Sequence, residues 1–403
     1  MKPAAAPEGR PHPPPEAAVR ARARRRWWHR VGRLGWLLFL WVDGPLLLAV
    51  VGGLAAAYLD PRPFWWLQLL GIALPYLTWT LGVAALVPLV ARRWGWFALH
   101  LVLLGAVAWR AYPLDRFAAS PPSQADDLVV MTFNVPQSGP SGEALSDSLV
   151  ALIAETQPDV LALQEVTAYT GGARPLRHAV HAQALVERLP YALVQPRRAG
   201  PESARGTVVP VLVRDDAVAV LERRIVPLGA EDEENTSSAT RTRFRWQGRE
   251  GVLYNLHLRS FGDEKPWEDR IRLFEPTTWL PYLRRYRDVF RARAADVEQL
   301  AEVVEQETLP VLIVGDFNGT ADNWTYRKLL GGRRDAFHVA GAGAGNTYRA
   351  DRPFVRIDFA LVDPAWDVTA ADVSDVAFSD HRPLVVRLRW AAAEAGQGEP
   401  ETP

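Results

Sequence analysis

Hydrophobic and polar positions follow two different rules along this chain. Near the N-terminus the apolar residues run in long, nearly unbroken stretches, at about Leu34–Leu59, Phe64–Val90 and Trp94–Trp109. From about residue 127 onward they come in short, β-branched runs separated by amphipathic segments and turns. The first two stretches exceed the ~20 residues that cross a bilayer as a helix. The third is shorter at its core and extends at most to Tyr112. The first pattern predicts three transmembrane helices, the second a soluble domain of strands and helices.

Within the soluble part, strands are expected at Leu128–Val135, Asp159–Gln164, Tyr191–Gln195, Thr207–Arg214 and Val218–Pro227. Thr240–Gln247 and Gly251–Leu258 form a predicted hairpin turning at Gln247-Gly248; Pro310–Val314, Arg356–Val362 and Leu384–Trp390 complete the strands. Helices are expected at Ala144–Glu155, Ala179–Leu189 and Asp288–Glu307. Many strands with few, long helices imply an α/β class, two packed sheets flanked by helices. The organisation expected is a disordered basic N-terminus (1–33), a membrane region (34–112), a linker (113–126), a soluble domain (127–391) and a disordered tail (392–403).

Charge sharpens the membrane reading. Total charge is zero, yet residues 1–33 hold nine Lys/Arg against two Asp/Glu, so residues 34–403 carry −7. The soluble part is therefore not broadly basic, as a general nucleic-acid-binding surface would be. The cluster Arg20 to Arg30 lies beside an apolar run and reads as juxtamembrane. Ten of the sixteen tryptophans fall in residues 27–109, and Trp27, Trp28, Trp65, Trp66, Trp94 and Trp96 bracket the apolar stretches as interfacial belts do. With the Arg-rich N-terminus and Arg92-Arg93 inside, three spans place the soluble domain outside the cytoplasm of a bacterial inner or plasma membrane. Two spans would reverse this. Asp43 and His100 fall within the apolar stretches. They are read as a kink or a polar helix–helix contact, with ion transport as the competing role. Cysteine is absent, which excludes disulfides, thiolate metal sites and cysteine nucleophiles.

Polar motifs recur along the soluble part, most of them at predicted strand ends. They are Thr132-Phe133-Asn134-Val135, Gln164-Glu165-Val166, Asn255-Leu256-His257-Leu258, Gly315-Asp316-Phe317-Asn318, Arg356-Ile357-Asp358-Phe359 and Ser379-Asp380-His381-Arg382-Pro383. A rigid sheet edge can converge such side chains on one point. Four carboxylates, two amides and two imidazoles suit a hard divalent cation and a phosphate ester. No nucleophile elbow and no phosphate-binding P-loop is present.

In this order, Asn, Glu, His, Asp-x-Asn, Asp and Asp-His, the motifs resemble those of the endonuclease/exonuclease/phosphatase superfamily. That group includes DNase I, exonuclease III, neutral sphingomyelinases and inositol polyphosphate 5-phosphatases. The resemblance covers about residues 127–391 and implies the four-layered, DNase I-like α/β sandwich. It implies Glu165 as the main Mg²⁺ ligand, Mn²⁺ being a substitute, with Asn134 beside it and Asp380 as the second acidic position near the metal. It further implies that Asp316 orients or deprotonates the attacking water and that the Asn318 amide donates to the phosphorane. Asp358 would fix and charge His381, and His257 would be the second active-site histidine, as in DNase I-like and sphingomyelinase-like members.

The implied activity is metal-assisted, in-line water attack on a phosphodiester. Nucleic acid and phospholipid headgroups stand equal as substrates at this point, and small phosphate monoesters third. A non-catalytic module binding phosphorylated ligands is the alternative from a different class. Two segments depart from a compact core: the acidic loop Leu228–Ala239, and Phe261–Phe290 with Trp267, Trp279, Tyr282 and Tyr286. The latter reads either as a helix pair packed on the sheet or as a lid that docks on lipid or nucleic acid.

Overall fold

The computed structural model describes residues 15–111, 120–135, 142–166, 182–194, 209–229, 237–262, 274–376 and 378–392. Four helices come first: α1 (Pro15–Ala56), α2 (Pro61–Ala84), α3 (Leu86–Val90) and α4 (Trp94–Ala111). Two segments, Arg24–Ala56 and Pro61–Val90, are long and apolar enough to cross a membrane. The expected third span, α4, is apolar but only 18 residues long, so two helices rather than three meet that length. The basic run Arg20–Arg33, expected to be disordered, belongs to α1. Ala and Arg are strong helix formers, and lengthening an existing helix needs no new nucleus.

The first helices pack through Leu47, Val50, Leu74 and Leu81. Between α1 and α4, Trp96 Nε1 donates to Asp43 Oδ2 at 2.5 Å, and His100 Nε2 lies 3.0 Å from Asp43 Oδ1. The other ring nitrogen of His100 is 2.9 Å from the Trp96 carbonyl oxygen. Asp43 and His100 are fully buried. The polar residues of the apolar stretches thus close on each other as a helix–helix contact, and α1 runs on through Pro45. The outward side is apolar, with Trp41 and Trp79 each 80% exposed.

One face of α2 is covered by the soluble domain. Arg62 pairs with Glu298 at 2.9 Å, Gln68 meets Asn323 and Trp324, and the Tyr76 hydroxyl donates to the Phe354 carbonyl at 2.9 Å. At 1.5 Å per residue, 62 to 76 spans about 21 Å. The domain therefore seats along the first part of α2 rather than beyond its end.

The soluble domain continues as β1 (Leu128–Asn134), α5 (Gly142–Thr156), β2 (Val160–Gln164), α6 (Ala182–Arg188), β3 (Tyr191–Val194) and β4 (Val211–Arg214). Next come β5 (Ala219–Val226), β6 (Ser238–Trp246), β7 (Arg249–His257), α7 (Pro276–Glu305), β8 (Val311–Asp316) and α8 (Trp324–Leu330). The chain closes with β9 (Arg334–Asp335), α9 (Ala336–Ala340), β10 (Asp358–Val362), β11 (Trp366–Val373) and β12 (Leu384–Trp390). Two mixed six-stranded sheets result, ordered β11-β12-β1-β2-β4-β3 and β5-β6-β7-β8-β10-β9.

Period-two alternation builds the layers. In β1, Leu128 and Val130 point between the sheets, joining Leu253, Leu312, Val314 and Trp366 in one core. Val129, Met131 and Phe133 point the other way, onto Leu145, Leu149 and Ile153 of α5. On the second sheet Tyr254, Leu256 and Ile313 face Val297, Leu300 and Val304 of α7. The order is helix, sheet, sheet, helix. The β6–β7 hairpin turns at Gln247 and Gly248, both with positive φ (50° and 76°), as a two-residue turn of the right twist requires.

Several elements differ from the sequence pattern. α7 starts at Pro276, not Asp288. Pro276 sits in the first turn, where its missing N–H costs nothing, so a helix-breaking residue marks a start. Tyr282 and Phe290 are buried in this helix, so from Pro276 the segment packs as a helix rather than forming a free lid. Trp267 lies outside the described residues, as do residues 230–236 of the acidic loop, the first part of the linker and most of the tail. The short elements α8, β9 and α9 and the strand β11 were not anticipated.

Candidate active site

Strand direction collects the site. β1 is parallel to β2 and antiparallel to β12; β7 is parallel to β8, and β10 antiparallel to β8. The C-terminal ends of β1, β2, β7 and β8 therefore share one edge with the N-terminal ends of β10 and β12. Within the second sheet His257, Asp316 and Asp358 stand in a single register row. Across from them, Asn134 pairs with Gln164, and Glu165 follows.

Asp316 is the hub. Its Oδ2 accepts from Asn134 Nδ2 at 3.0 Å and from Asn318 Nδ2 at 3.2 Å. His257 Nε2 lies 3.7 Å and His381 Nε2 3.8 Å from the same oxygen. Glu165 Oε1 accepts from Asn134 Nδ2 at 3.2 Å and is 3.8 Å from His257 Nε2. His381 Nδ1 is 2.9 Å from Asp358 Oδ2, and both residues are buried. Seven of the eight residues singled out by the motifs thus form one connected cluster. Asp380, the eighth, is exposed beside it and makes no direct bond to the ring.

Electrostatics separate these groups. Burial first, and the neighbouring Asp358 charge second, raise the Asp316 carboxyl above its ordinary range. For His381, burial alone would lower the pKa, but the charges of Asp358 and Asp316 outweigh it and push it up to about 10. His381 is thus an imidazolium at neutral pH, both of its N–H groups directed at acid oxygens.

Backbone conformation serves the same edge. Glu165 has φ 60° and Asn318 φ 48°, left-handed values that cost an ordinary residue roughly 1–2 kcal/mol. At Gly315 (φ 135°) an added Cβ would lie 1.9 Å from the Leu256 carbonyl oxygen, so only glycine admits this approach of β8 to β7.

The two amides of the site are bonded differently. Asn318 Nδ2 donates to the Leu258 carbonyl at 2.8 Å as well as to Asp316, so both of its amide hydrogens are spent inside the protein. In this arrangement it braces Asp316 against the β7 end. Asn134 is the reverse case: its Nδ2 serves Glu165 and Asp316, and its Oδ1 is buried without a partner.

The donor set fits a hard cation. Asn134 Oδ1, Asp358 Oδ1 and His257 Nε2 are all buried polar atoms without a hydrogen-bond partner, although His257 Nε2 stays within ion-pair distance of two acids. Each orphan costs about 1–3 kcal/mol unless a ligand takes it up. Asp316, Asp358 and His381 lie close enough to hold an ion among them. The tight Asp358–His381 bond, however, already uses Nδ1 and Oδ2. The oxygen-rich side of the site, Glu165 with Asn134 Oδ1, is the better match for Mg²⁺.

Supporting residues to which the motif reading gave no role surround this ring. Arg293 of α7 is fully buried and donates to the Asn318 carbonyl at 2.5 Å and to the Arg259 carbonyl. Burial pushes its guanidinium down to about 10. Its signal was legible: an arginine on the apolar stripe Val289, Val297, Leu300, Val304. Gln164 Nε2 donates to Asn255 Oδ1 at 2.7 Å, tying the two sheets beneath the site. Ser379 accepts from the His381 N–H at 2.9 Å and donates to the Asn134 carbonyl at 3.0 Å.

Two mixed sheets back to back, with acids, amides and imidazoles at one shared edge, are the framework of a phosphoesterase. Residues 131–381 match the Endonuclease/Exonuclease/phosphatase family, and the chain belongs to that family. Among solved structures it is similar to an endonuclease/exonuclease/phosphatase from Bacteroides vulgatus, at 20% identity and TM-score 0.45, over 66% of this chain and 99% of that one. The catalytic domain of human Nocturnin is similar at 20% identity and TM-score 0.45, over 68% and 98%. A mannosyl-6-phosphatase from Bacteroides thetaiotaomicron is similar at 17% identity and TM-score 0.46, over 65% and 100%. No curated protein sequence matches the chain. The helices α1–α4 precede the matched region.

Proposed function

We propose that the protein is a membrane-anchored, divalent-metal-dependent phosphoesterase that hydrolyses a phosphodiester by in-line attack of water. The observation that carries this reading is the ring of side chains on Asp316, with three buried atoms left open for a ligand. Glu165, Asn134 and Asp380 would hold Mg²⁺, or Mn²⁺ in its place. When bound, such an ion supplies positive charge to a phosphate oxygen.

The chain's own residues account for the proton traffic. Asp316, its proton affinity raised by burial, orients a water molecule and takes its proton as the water oxygen bonds to phosphorus. His381, kept charged by Asp358, gives its Nε2 proton to the departing ester oxygen as the P–O bond breaks. His257 holds Nε2 between Glu165 (3.8 Å) and Asp316 (3.7 Å), where it would meet a phosphate oxygen brought to the site. Asn318 and Arg293 keep Asp316 in place.

The anchor rests first on the apolar segment Arg24–Ala56; in Pro61–Val90 the domain already touches residues from Arg62 to Tyr76, so this segment enters the bilayer by its later part, with α4 as a shorter third span. Arg93 stacks over Trp36 at 5.2 Å at one end of the bundle. Arg110 bonds to the Leu54 carbonyl and to Asp322 of the soluble domain at the other. Arg93 and the Arg110–Asp322 contact therefore lie at opposite ends of α4. Under the positive-inside bias the catalytic domain lies outside the cytoplasm of a bacterial inner or plasma membrane. Seating along α2 keeps the site beside the bilayer, which favours a phospholipid headgroup over nucleic acid as the phosphodiester.

The test uses the full chain in lipid nanodiscs, with Mg²⁺ and Asp316→Ala as blank. Bis(p-nitrophenyl) phosphate, phosphatidylglycerol–phosphatidylcholine vesicles and plasmid DNA are the substrates. Turnover of the nitrophenyl diester and vesicles, lost in the blank, is expected. DNA cleavage alone would reassign the substrate; turnover of p-nitrophenyl phosphate but of no diester would make it a monoesterase. If nothing is cleaved, the hydrolase reading fails and a phospho-ligand-binding module takes its place.

A further inference from the structure

The loop that follows Asp316 is held from outside the catalytic domain. Asn318 begins it, braced by Asp316 and Arg293. Two residues on, Thr320 donates its N–H (2.8 Å) and hydroxyl (3.3 Å) to Asn323 Oδ1. Asn323 Nδ2 in turn donates to the Gln68 carbonyl at 2.9 Å and to Gln68 Oε1 at 3.2 Å. The same Oε1 accepts from Trp324 N at 3.0 Å, at the first turn of α8. Gln68 and Asn323 are fully buried, so water does not compete for these bonds.

The neighbouring residues confirm close seating. A Cβ at Gly71 would fall 2.8 Å from the Asp322 carbonyl oxygen and 3.1 Å from Asn323 Nδ2. From α4, Arg110 pairs with Asp322 at 2.9 Å and donates to the Ala321 carbonyl at 3.2 Å, while its other nitrogen holds the Leu54 carbonyl at 3.0 Å. Residues 320–324 are thus bonded to α2 and α4 through four consecutive positions from 321 to 324.

We propose that Gln68 and Arg110, on the apolar helices, are positioning residues for catalysis: through Asn323, Thr320 and Asp322 they fix the loop that carries Asn318, and so the carboxylate of Asp316. The role of these helices is then more than anchorage, and the matched catalytic domain alone has a slackened site. This rests on the phosphoesterase reading for its kinetic consequence, but the clamp itself is a matter of structure. A small displacement of a catalytic group costs about 10- to 100-fold in rate. The loss should fall on kcat, because no clamp residue meets the substrate.

The test compares full-length wild type with Gln68→Met, which keeps the volume and removes both polar atoms, and with Gly71→Ala. Gly82→Ala on α2 is the control, since its added Cβ meets nothing within 4 Å. Two readouts are taken in nanodiscs: kinetics on bis(p-nitrophenyl) phosphate with Mg²⁺, and amide hydrogen exchange over residues 316–324. Gln68→Met is expected to lower kcat at least about 10-fold with KM within about twofold. It should also speed exchange of the Thr320 amide while β8 stays protected. Gly71→Ala should do the same, so a failure of either variant to fold leaves the other as the test. Unchanged exchange in residues 318–323, or kcat within twofold of wild type, would overturn the proposal. If wild type cleaves nothing, the phosphoesterase reading fails, and exchange still decides whether the clamp exists.

Discussion

Replacing Asp358 by asparagine should move His381 from a group charged at every working pH to one that titrates within the range. The His381 Nδ1 to Asp358 Oδ2 distance is 2.9 Å, and both side chains are buried. At an effective dielectric of ~20, opposite charges about 3 Å apart attract by about 5 kcal/mol, or about 4 pH units. Wild-type His381 is pushed up to about 10. Burial, which opposes the charge, stays in the variant, so its imidazole should titrate near 6 by this reckoning. A raised folded-state pKa means the imidazolium persists until pH passes about 10 in wild type. In Asp358→Asn it is lost as pH rises through about 6.

The assay is kcat against pH from 5 to 10, both proteins saturated with Mg²⁺ and substrate, with melting temperatures compared first. Any field from the ion acts on both proteins and cancels to first order in the comparison. Wild type should keep its acid function up to about pH 9. The variant should lose about tenfold per unit above its new pKa, hence about 100-fold at pH 8, and recover much of its rate near pH 5.5. A loss of the same size at every pH would show that Asp358 only orients the ring. No loss at all would remove the pair from the mechanism.

Three further outcomes are expected. Glu165→Gln should weaken Mn²⁺ binding, read by electron paramagnetic resonance, at least about 10-fold and turnover about 100-fold; unchanged binding would move the ion to Asp316 and Asp358. Burial would raise the Asp335 carboxyl, but the buried Arg356 guanidinium, bonded at 2.9 and 2.7 Å, holds it down to about 2, against an ordinary 3.8. That stabilisation, about 2 kcal/mol, is full above pH ~4 and is lost as pH falls through about 2; urea midpoints at pH 5 and 2.5 should differ accordingly, and Asp335→Asn should flatten the difference. A reporter joined after Ala391 should be active only outside the cytoplasm, and cytoplasmic activity would mean that α4 does not span.

The site was legible because its residues follow strands whose apolar runs are unmistakable. Val160–Gln164 and Val311–Asp316 are buried throughout; Glu165 comes directly after the first, and Asp316 ends the second with Asn318 two residues on. The elements that escaped are short or mixed in pattern. β9 has two residues and α9 five, too few for any period to show. β11 interleaves Asp367 and Asp372 with small residues and carries a bulge, which breaks its alternation. The start of α7 is obscured by two prolines, Pro276, which opens the helix, and Pro281 inside it.

By itself the sequence determined which chemistry is present: hard oxygen donors and imidazoles at strand ends, no thiol, and apolar stretches long enough to leave water. These follow from residue type and from local periodicity, which need no knowledge of partners. Only the tertiary structure decided what each group touches. Asn318 turns inward because the Leu258 carbonyl lies across the β7–β8 pair. His381 is charged because two acids from one strand pair surround it in a buried place. Gln68 reaches Asn323 across 255 residues of chain, a contact that no local pattern encodes. Hydrogen bonds, burial and charge coupling between segments depend on distance in space, and that distance is fixed only when the sheets and helices pack.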